Sequence, residues 1–169
     1  YREGFVKNRY VGRTFIMPND KARRDSIRAK LNPIRAEFEG KRVVILDDSI
    51  VRGNTSRQMV KIARQMGASK VYLASYSPPL LFPCLYGIDM STKREFVARG
   101  RNNDEIAKEL GADAVVYQTI EEMVDAVRTA GNSKIEFCKA CFEGTYPTGD
   151  ITEQMITDIE QDRLAASGT

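Results

Sequence analysis

Residues 43–55 read VVILDDSIVRGNT, and the fold class follows from this sequence. Its first four residues form a continuous aliphatic run without polar alternation, typical of a strand that is buried on both faces in a parallel sheet. A polar loop follows, and a helix is predicted from about Thr55 to Met66, with Gly67 as its stop. A second buried strand is predicted over 71–74. Together these elements make a βαβ unit of about 30 residues.

The pattern continues more weakly downstream. A helix is predicted over 103–110 and a short strand over 114–117. Thr119 and Glu122 form a capping box that opens another helix, expected to run through Val127. An acidic amphipathic helix is predicted over 152–164. The chain is therefore predicted to be α/β, with a mostly parallel sheet flanked by helices.

Composition restricts the possible functions. The 169 residues are 42% hydrophobic and 29% charged, the balance of a globular domain with a hydrophobic core. No apolar run approaches the roughly 18–20 residues of a membrane span, so no membrane partner is expected. The chain has no histidine, which excludes an imidazole base or a histidine-ligated metal from its own residues. Three cysteines favour a reducing compartment, and we expect a cytoplasmic protein.

The beginning of the chain and its charge distribution suggest a fragment with an anionic ligand. The sequence begins at Tyr1, without an initiator Met or a targeting pattern, so 1–169 is expected to be a piece of a longer protein. Residues 1–42 carry a net charge of +7 and residues 43–169 a net charge of −4. A basic front end favours phosphate or nucleic acid as a ligand.

The loop after the first strand combines acceptors and donors. Asp47 and Asp48 stand where the strand ends, the usual ligand position in open α/β sheets. The loop that follows leads into a helix N-terminus and contains Gly53, where a ligand can approach the backbone closely. The helix dipole contributes only about 0.3–1 kcal/mol to the binding of an anion. Charge-assisted hydrogen bonds, at roughly 1.5–3 kcal/mol each, must therefore provide most of the binding free energy.

A phosphorylated ribose requires both features: donors for its phosphate, and acceptors for its hydroxyls or a magnesium ion. The alternative is a buried strand end in which Asp48 or Ser49 merely caps a turn.

The sequence contains neither the P-loop pattern GxxxxGK[ST] nor the dinucleotide pattern GxGxxG.

The thirteen residues 43–55 resemble the signature of the type I phosphoribosyltransferases. Together with FVKNRYVGRTFIM at 5–17, they resemble the amidophosphoribosyltransferase family, and the resemblance covers about residues 3–149. Further markers are KLN at 30–32, YGID at 86–89 and GTYP at 144–147. The resemblance implies a type I phosphoribosyltransferase fold that is incomplete at its N-terminus.

By the same resemblance, residues 1–149 are the later part of a phosphoribosyltransferase domain, and 150–169 are a C-terminal helix and tail. An N-terminal glutaminase domain is absent from this chain. The implied reaction transfers glutamine-derived ammonia to phosphoribosyl pyrophosphate, giving 5-phosphoribosylamine, glutamate and pyrophosphate in the first step of de novo purine biosynthesis. The alternatives are a nucleobase salvage phosphoribosyltransferase and a regulator that senses phosphoribosyl pyrophosphate. The chain alone is expected to be inactive.

The resemblance also implies partners and site residues. Purine nucleotides are expected inhibitors, a dimer or tetramer of identical chains is expected, and nucleic acid is not an expected partner. Asp47 and Asp48 would bind the ribose hydroxyls and Mg²⁺. The substrate-binding set also contains the loop residues, which would cradle the 5′-phosphate: Ser49, Ile50, Val51, Arg52, Gly53, Asn54 and Thr55.

The segment 7–31 resembles a mobile loop that closes over the substrate and completes an ammonia channel. Its catalytic candidates, four cations and one aromatic residue, are Lys7, Arg9, Tyr10, Arg13 and Lys30. Three further arginines, Arg23, Arg24 and Arg28, are expected on a solvated helix face instead.

The three cysteines suggest a metal centre. Cys138 and Cys141 form a C-x-x-C pair, Cys84 follows Pro83, and three thiolates need a fourth ligand for a tetrahedral site. The family resemblance implies a [4Fe–4S] cluster at these positions, with its fourth ligand outside this chain. The alternatives are a zinc ion and three free, buried cysteines.

Overall fold

The computed structural model describes residues 1–7, 31–88, 92–131 and 136–167. Its strands are β1 (Phe5–Lys7), β2 (Leu31–Pro33), β3 (Arg42–Asp47), β4 (Lys70–Ser75) and β5 (Ala114–Tyr117). Its helices are α1 (Asn54–Gln65), α2 (Asn103–Leu110), α3 (Ile120–Ala130), α4 (Ala140–Glu143) and α5 (Glu153–Ser167). Short 3₁₀ turns cover Arg35–Glu37 and Lys93–Glu95.

Strands β3, β4 and β5 form a mostly parallel sheet in that order, and α1 connects the first two. The predicted βαβ unit is therefore confirmed, and α2 and β5 span the predicted residues. Helix α1 contacts α2 and β3, and it buries Met59, Val60, Ile62 and Ala63. These positions recur at helical spacing, which explains why the sequence predicted the helix.

The expectation that the first strand is buried on both faces is wrong for the described residues. In β3, Ile45 is 8% exposed, whereas Val44 and Leu46 are 65% and 49% exposed. In β5, Val115 is buried and Val116 is 60% exposed. Side chains alternate between the two faces of a strand, so one face of this sheet packs on the core and the other is open. An aliphatic run shows that a strand is apolar, but not how many of its faces are covered.

Two local signals set the helix ends as predicted. Helix α1 ends beside Gly67, whose φ of 93° lies in the left-handed region that favours glycine. Helix α3 begins at a complete capping box: the Thr119 side chain accepts from the Glu122 backbone N–H, and the Glu122 carboxylate accepts from the Thr119 backbone N–H. Each bond satisfies a donor that the first helical turn leaves without an intrahelical partner.

The antiparallel pair β1 and β2 is a feature that the sequence did not predict. Phe5 pairs with Pro33, Val6 with Asn32 and Lys7 with Leu31. Three-residue strands are too short to show a periodic pattern.

The chain divides into two compact units. The first contains Tyr1–Asp47, Gly53–Ala74 and Asn103–Val116. The second contains Asp48–Arg52, Ser75–Asn102 and Tyr117–Thr169. Within the second unit, Ala140, Tyr146 and Ile156 form a small buried core, with Leu85 and Ile151 packed against it. No helix within the described ranges is long and apolar enough to cross a membrane.

Candidate active site

The loop after β3 turns sharply into helix α1. Asp47 ends the strand, and Gly53 precedes the helix with φ 73° and ψ 1°. That left-handed conformation strains any residue with a Cβ atom, so the turn requires glycine. No side chain caps the first turn of α1 in the described structure. Its backbone N–H groups therefore present positive partial charge to an anion.

The second-unit part of this loop, Asp48–Arg52, is held by its backbone. The Asp48 carbonyl accepts from the Ser77 N–H at 3.0 Å, and the Val51 carbonyl accepts from the Val97 N–H at 2.9 Å. Between them, Ile50 is 1% exposed. A buried apolar anchor between two hydrogen-bonded carbonyls fixes the course of the loop. A loop fixed in this way is suited to present backbone groups to a ligand.

The two carboxylates remain accessible. Asp47 is half-buried and Asp48 is exposed, and the Ser49 hydroxyl donates to Asp48 Oδ1 at 3.3 Å. Carboxylate oxygens suit Mg²⁺, which commonly takes one or two protein carboxylates together with substrate phosphates and water. In the described part of the chain, no group of three or more acidic, histidine or cysteine side chains could hold a metal ion. Asp47 and Asp48 could supply at most two carboxylates to such an ion, and its remaining ligands would have to come from elsewhere.

Arg52 makes a contact that the sequence analysis did not find. Its Nε lies 3.0 Å from Glu95 Oε1 and its Nη2 lies 3.2 Å from Glu95 Oε2, so the guanidinium and the carboxylate pair through two parallel bonds. Thr92 and Glu95 have the spacing of a capping box, a signal that would have marked this segment as ordered. Nothing in the sequence indicates that it contacts Arg52.

Of the catalytic candidates in the first part of the chain, the structure describes only the backbone of Lys7. Lys7 ends β1, and its backbone pairs with Leu31. Arg9, Tyr10, Arg13 and Lys30 lie outside the described residues. Their roles stay predictions.

The three cysteines lie in the second unit and carry free thiols. Cys84 and Cys141 are half-buried and Cys138 is exposed. Burial raises the pKa of the Cys141 thiol, and negative charge on Cys84 and Cys138 raises it further. They do not form a complete metal site, because the described residues include no three-ligand group that could hold a metal.

The backbone around these cysteines is tightly packed. The Leu81 and Phe82 N–H groups both lie 3.0 Å from the Cys141 carbonyl oxygen and donate to it. The Tyr146 hydroxyl donates to the Pro83 carbonyl at 2.7 Å. The C-x-x-C turn and the Cys84 segment are therefore hydrogen-bonded to each other.

This chain is similar to a segment of several curated proteins. The chain is 49% identical over 168 residues to the amidophosphoribosyltransferase of Pseudomonas aeruginosa, covering 99% of this chain and 33% of that protein. Identity to the Escherichia coli enzyme is 52% over 160 residues, covering 95% of this chain and 32% of that protein. The Saccharomyces cerevisiae enzyme is 47% identical over 163 residues, covering 96% of this chain and 31% of that protein. The chain thus spans about a third of the length of these curated relatives, and no family model matches it.

Solved structures agree with the sequence relatives. A glutamine phosphoribosylpyrophosphate amidotransferase from Bacillus subtilis, complexed with ADP and GMP, matches with a TM-score of 0.69 and 44% identity. The match covers 85% of this chain and 32% of that one. A structure described as the allosteric regulatory enzyme of purine biosynthesis matches with a TM-score of 0.73 and 42% identity, covering 93% of this chain and 34% of that one. The chain is therefore homologous, over nearly its whole length, to a segment of the amidophosphoribosyltransferases, and it has the type I phosphoribosyltransferase fold.

Proposed function

We propose that the protein containing this chain is an amidophosphoribosyltransferase. It transfers glutamine-derived ammonia to phosphoribosyl pyrophosphate and releases 5-phosphoribosylamine, glutamate and pyrophosphate, the first step of de novo purine biosynthesis. The observation that carries this proposal is the 47–52% identity, over at least 95% of the chain, to enzymes of that name from two bacteria and a yeast.

The loop after β3 is the proposed phosphoribosyl site. Asp47 and Asp48 hold the ribose hydroxyls and Mg²⁺, and Ser49–Thr55 surround the 5′-phosphate. The left-handed turn at Gly53 and the uncapped first turn of α1 support this assignment, since they present backbone donors to an anion. The carboxylates beside them supply acceptors for hydroxyls.

In the proposed reaction a bond forms between the ammonia nitrogen and C1 of the ribose while the C1–oxygen bond to pyrophosphate breaks. Positive charge grows at C1, and in this proposal the carboxylates of Asp47 and Asp48 stabilise it electrostatically. Asp47 and Asp48 would hold Mg²⁺, which would supply positive charge to the leaving pyrophosphate. The cations of the 7–31 segment, including Lys7, Arg9, Arg13 and Lys30, assist that departure, and closure of this segment with Tyr10 excludes water.

The three cysteines are proposed ligands of a structural [4Fe–4S] cluster. Two observations support this: the C-x-x-C spacing of Cys138 and Cys141, and the backbone hydrogen bonds from Leu81 and Phe82 to the Cys141 carbonyl. The cluster requires a fourth ligand from outside the chain and a closer arrangement of the three thiolates, because no complete metal-binding group exists among the described residues.

The proposal also includes how the enzyme is inhibited and how its chains assemble. Purine nucleotides inhibit the enzyme, which the ADP and GMP in the Bacillus subtilis structure support. The active form is a homo-oligomer in the cytoplasm, and ammonia comes from a glutaminase domain outside this chain.

The test uses the full-length protein. Calorimetric titration with phosphoribosyl pyrophosphate and Mg²⁺ measures binding, and pyrophosphate release is then assayed with glutamine, free ammonia or purine and pyrimidine bases as acceptor. We expect pyrophosphate release with glutamine and with free ammonia, and no release with a purine or pyrimidine base. Release only with a base would establish a salvage enzyme, and tight binding without any release would establish a sensor.

The matched variants test the site itself. The double substitution Asp47→Asn and Asp48→Asn removes two sets of charge-assisted hydrogen bonds, so we expect kcat/KM to fall at least about a hundredfold. The control Asp150→Asn changes an exposed carboxylate elsewhere in the chain and should leave kcat/KM within about twofold. Unchanged turnover in the double variant would refute the assignment of these carboxylates.

A further inference from the structure

The 3₁₀ turn at Lys93–Glu95 and its flanking residues, here called the 92–97 segment, contact the loop after β3. The contacted part of the loop, Asp48–Arg52, and the 92–97 segment both lie in the second unit. The Val97 N–H donates to the Val51 carbonyl, and the Glu95 carboxylate pairs with the next loop residue, Arg52. Two consecutive loop residues are therefore held by the same segment, one through its backbone and one through its side chain.

Glu95 is itself fixed in place. Its Oε2 accepts from the Thr92 backbone N–H at 3.0 Å and from the Thr92 hydroxyl at 3.1 Å. Thr92 is buried, and so are Phe96 and Val97 immediately after Glu95. A carboxylate that is anchored by two donors of its own segment loses little further freedom when it pairs with a guanidinium. The carboxylate is thus preorganised for Arg52.

The 92–97 segment is also secured from the C-terminal helix. The Lys93 backbone N–H donates to the Glu160 carboxylate of α5. The first residue of the 3₁₀ turn and Val97, which follows the turn, are thus tied at separate points, so the segment provides a firm support for the loop.

We infer that Glu95 is a positioning residue for the phosphate loop, holding the Arg52 guanidinium toward the 92–97 segment so that the loop presents its backbone donors to the 5′-phosphate. This inference rests on the proposed function. Glu95 acts through Arg52 and does not touch the substrate. The pair is partly exposed, with 34% of the Arg52 and 41% of the Glu95 side chain accessible, and such pairs contribute little to global stability. Its loss should therefore change substrate binding more than folding.

The test compares Glu95→Gln with Glu136→Gln in the full-length protein. Glu136 pairs with Arg128 at 3.0 Å, with 34% of the Arg128 and 86% of the Glu136 side chain exposed, so the control breaks another Arg–Glu pair, with a more exposed carboxylate. Glu95→Gln keeps an acceptor for Thr92 but removes the charge that holds Arg52. We expect the KM for phosphoribosyl pyrophosphate to rise about tenfold, with kcat and the thermal unfolding midpoint close to those of the control.

A double-mutant cycle separates positioning from a general effect. If Glu95 acts through Arg52, Glu95→Gln combined with Arg52→Ala should raise KM no more than Arg52→Ala alone. Additive effects, or a KM for Glu95→Gln that equals the control, would overturn the inference while leaving the proposed function intact. Wild-type protein that neither binds nor uses phosphoribosyl pyrophosphate would refute the proposed function, and the inference with it.

Discussion

Asp113 and Val71 are joined by two hydrogen bonds. The Asp113 backbone N–H donates to the Val71 carbonyl at 2.8 Å, and the Val71 N–H donates to Asp113 Oδ2 at 2.8 Å. The same carboxylate pairs with Lys70 and Arg64. One side chain therefore links the start of β4, helix α1 and the turn that leads into β5.

This arrangement predicts a specific dependence of stability on pH. The hydrogen bond from the Val71 N–H, followed by the bond from Lys70, lowers the pKa of Asp113 from its ordinary 3.8 to about 2. A carboxylate with a lower pKa in the folded state stabilises the fold above its unfolded pKa. That stabilisation is lost as the pH falls from about 3.8 to about 2.

Asp113→Asn should flatten this acid dependence, because the variant keeps an acceptor for the Val71 N–H but has no charge to lose. The thermal unfolding midpoint, measured from pH 5 to pH 2, should fall less steeply in the variant than in the wild type. Asp150→Asn removes one exposed carboxylate and serves as the control. Parallel curves for the wild type and Asp113→Asn would contradict the prediction.

Gly53→Ala tests the turn into helix α1. At a φ of 73° an alanine Cβ strains the backbone by roughly 1–2 kcal/mol, and relief of that strain would displace the backbone donors of the proposed phosphate site. We expect the affinity for phosphoribosyl pyrophosphate, measured by calorimetry with Mg²⁺ present, to fall about tenfold or more.

Gly40→Ala is the matched control for that substitution. Gly40 has a φ of 71°, and nothing lies within 4 Å of the Cβ that the substitution adds. The Gly40→Ala variant carries similar backbone strain at an exposed turn. Its affinity for phosphoribosyl pyrophosphate should therefore stay close to the wild-type value. Equal losses of affinity in both variants would mean that general destabilisation, rather than the loop geometry, caused the effect.

The features that the sequence predicts correctly are those determined by residues close together in the chain. The sequence predicted α2, β5 and the start of α3 correctly because caps and short-range periodicity determine them, as at Thr119 and Glu122. It also placed Asp47 at the end of the strand and Gly53 within the loop that leads into helix α1. These features depend on residues within a few positions of each other.

Features that depend on distant residues were not predictable in this way. Arg52 and Glu95 are 43 positions apart in the sequence. Strand β1 at Phe5–Lys7 pairs with the distant strand β2 at Leu31–Pro33. The exposure of Val44 and Leu46 depends on what covers the sheet, which the strand's own residues do not encode. Tertiary contacts of this kind leave no periodic signal in the sequence.

Cys138→Ser tests the proposed iron–sulfur cluster. If Cys138, Cys141 and Cys84 supply three of its ligands, the substitution should abolish the visible charge-transfer absorbance of the full-length protein, purified without oxygen, and lower its iron content. Met155→Ser removes the sulfur of a residue that is 41% exposed and should leave the spectrum unchanged. A wild-type protein with zinc and no iron would establish the zinc alternative. Wild-type protein without either metal would leave three free cysteines.

Gly144→Ala tests the packing beside the cysteine segment. Gly144 follows α4 with a φ of 79°, and a Cβ at this position would lie 2.9 Å from two atoms of the Phe82 ring. The left-handed backbone costs an alanine roughly 1–2 kcal/mol, and overpacking costs about 1–3 kcal/mol more. We therefore expect the free energy of unfolding to fall by about 2–5 kcal/mol.

Gly149→Ala separates these two contributions. Gly149 lies in the same unit with a φ of 72°, and nothing lies within 4 Å of its added Cβ, so the substitution should cost only the backbone term. Phe82→Leu in the Gly144→Ala background should restore part of the difference, because the smaller side chain makes room for the methyl group. Urea unfolding followed by circular dichroism measures all three variants. Equal destabilisation by Gly144→Ala and Gly149→Ala would show that the Phe82 ring moves aside at no cost, and that glycine is needed here for its backbone conformation alone.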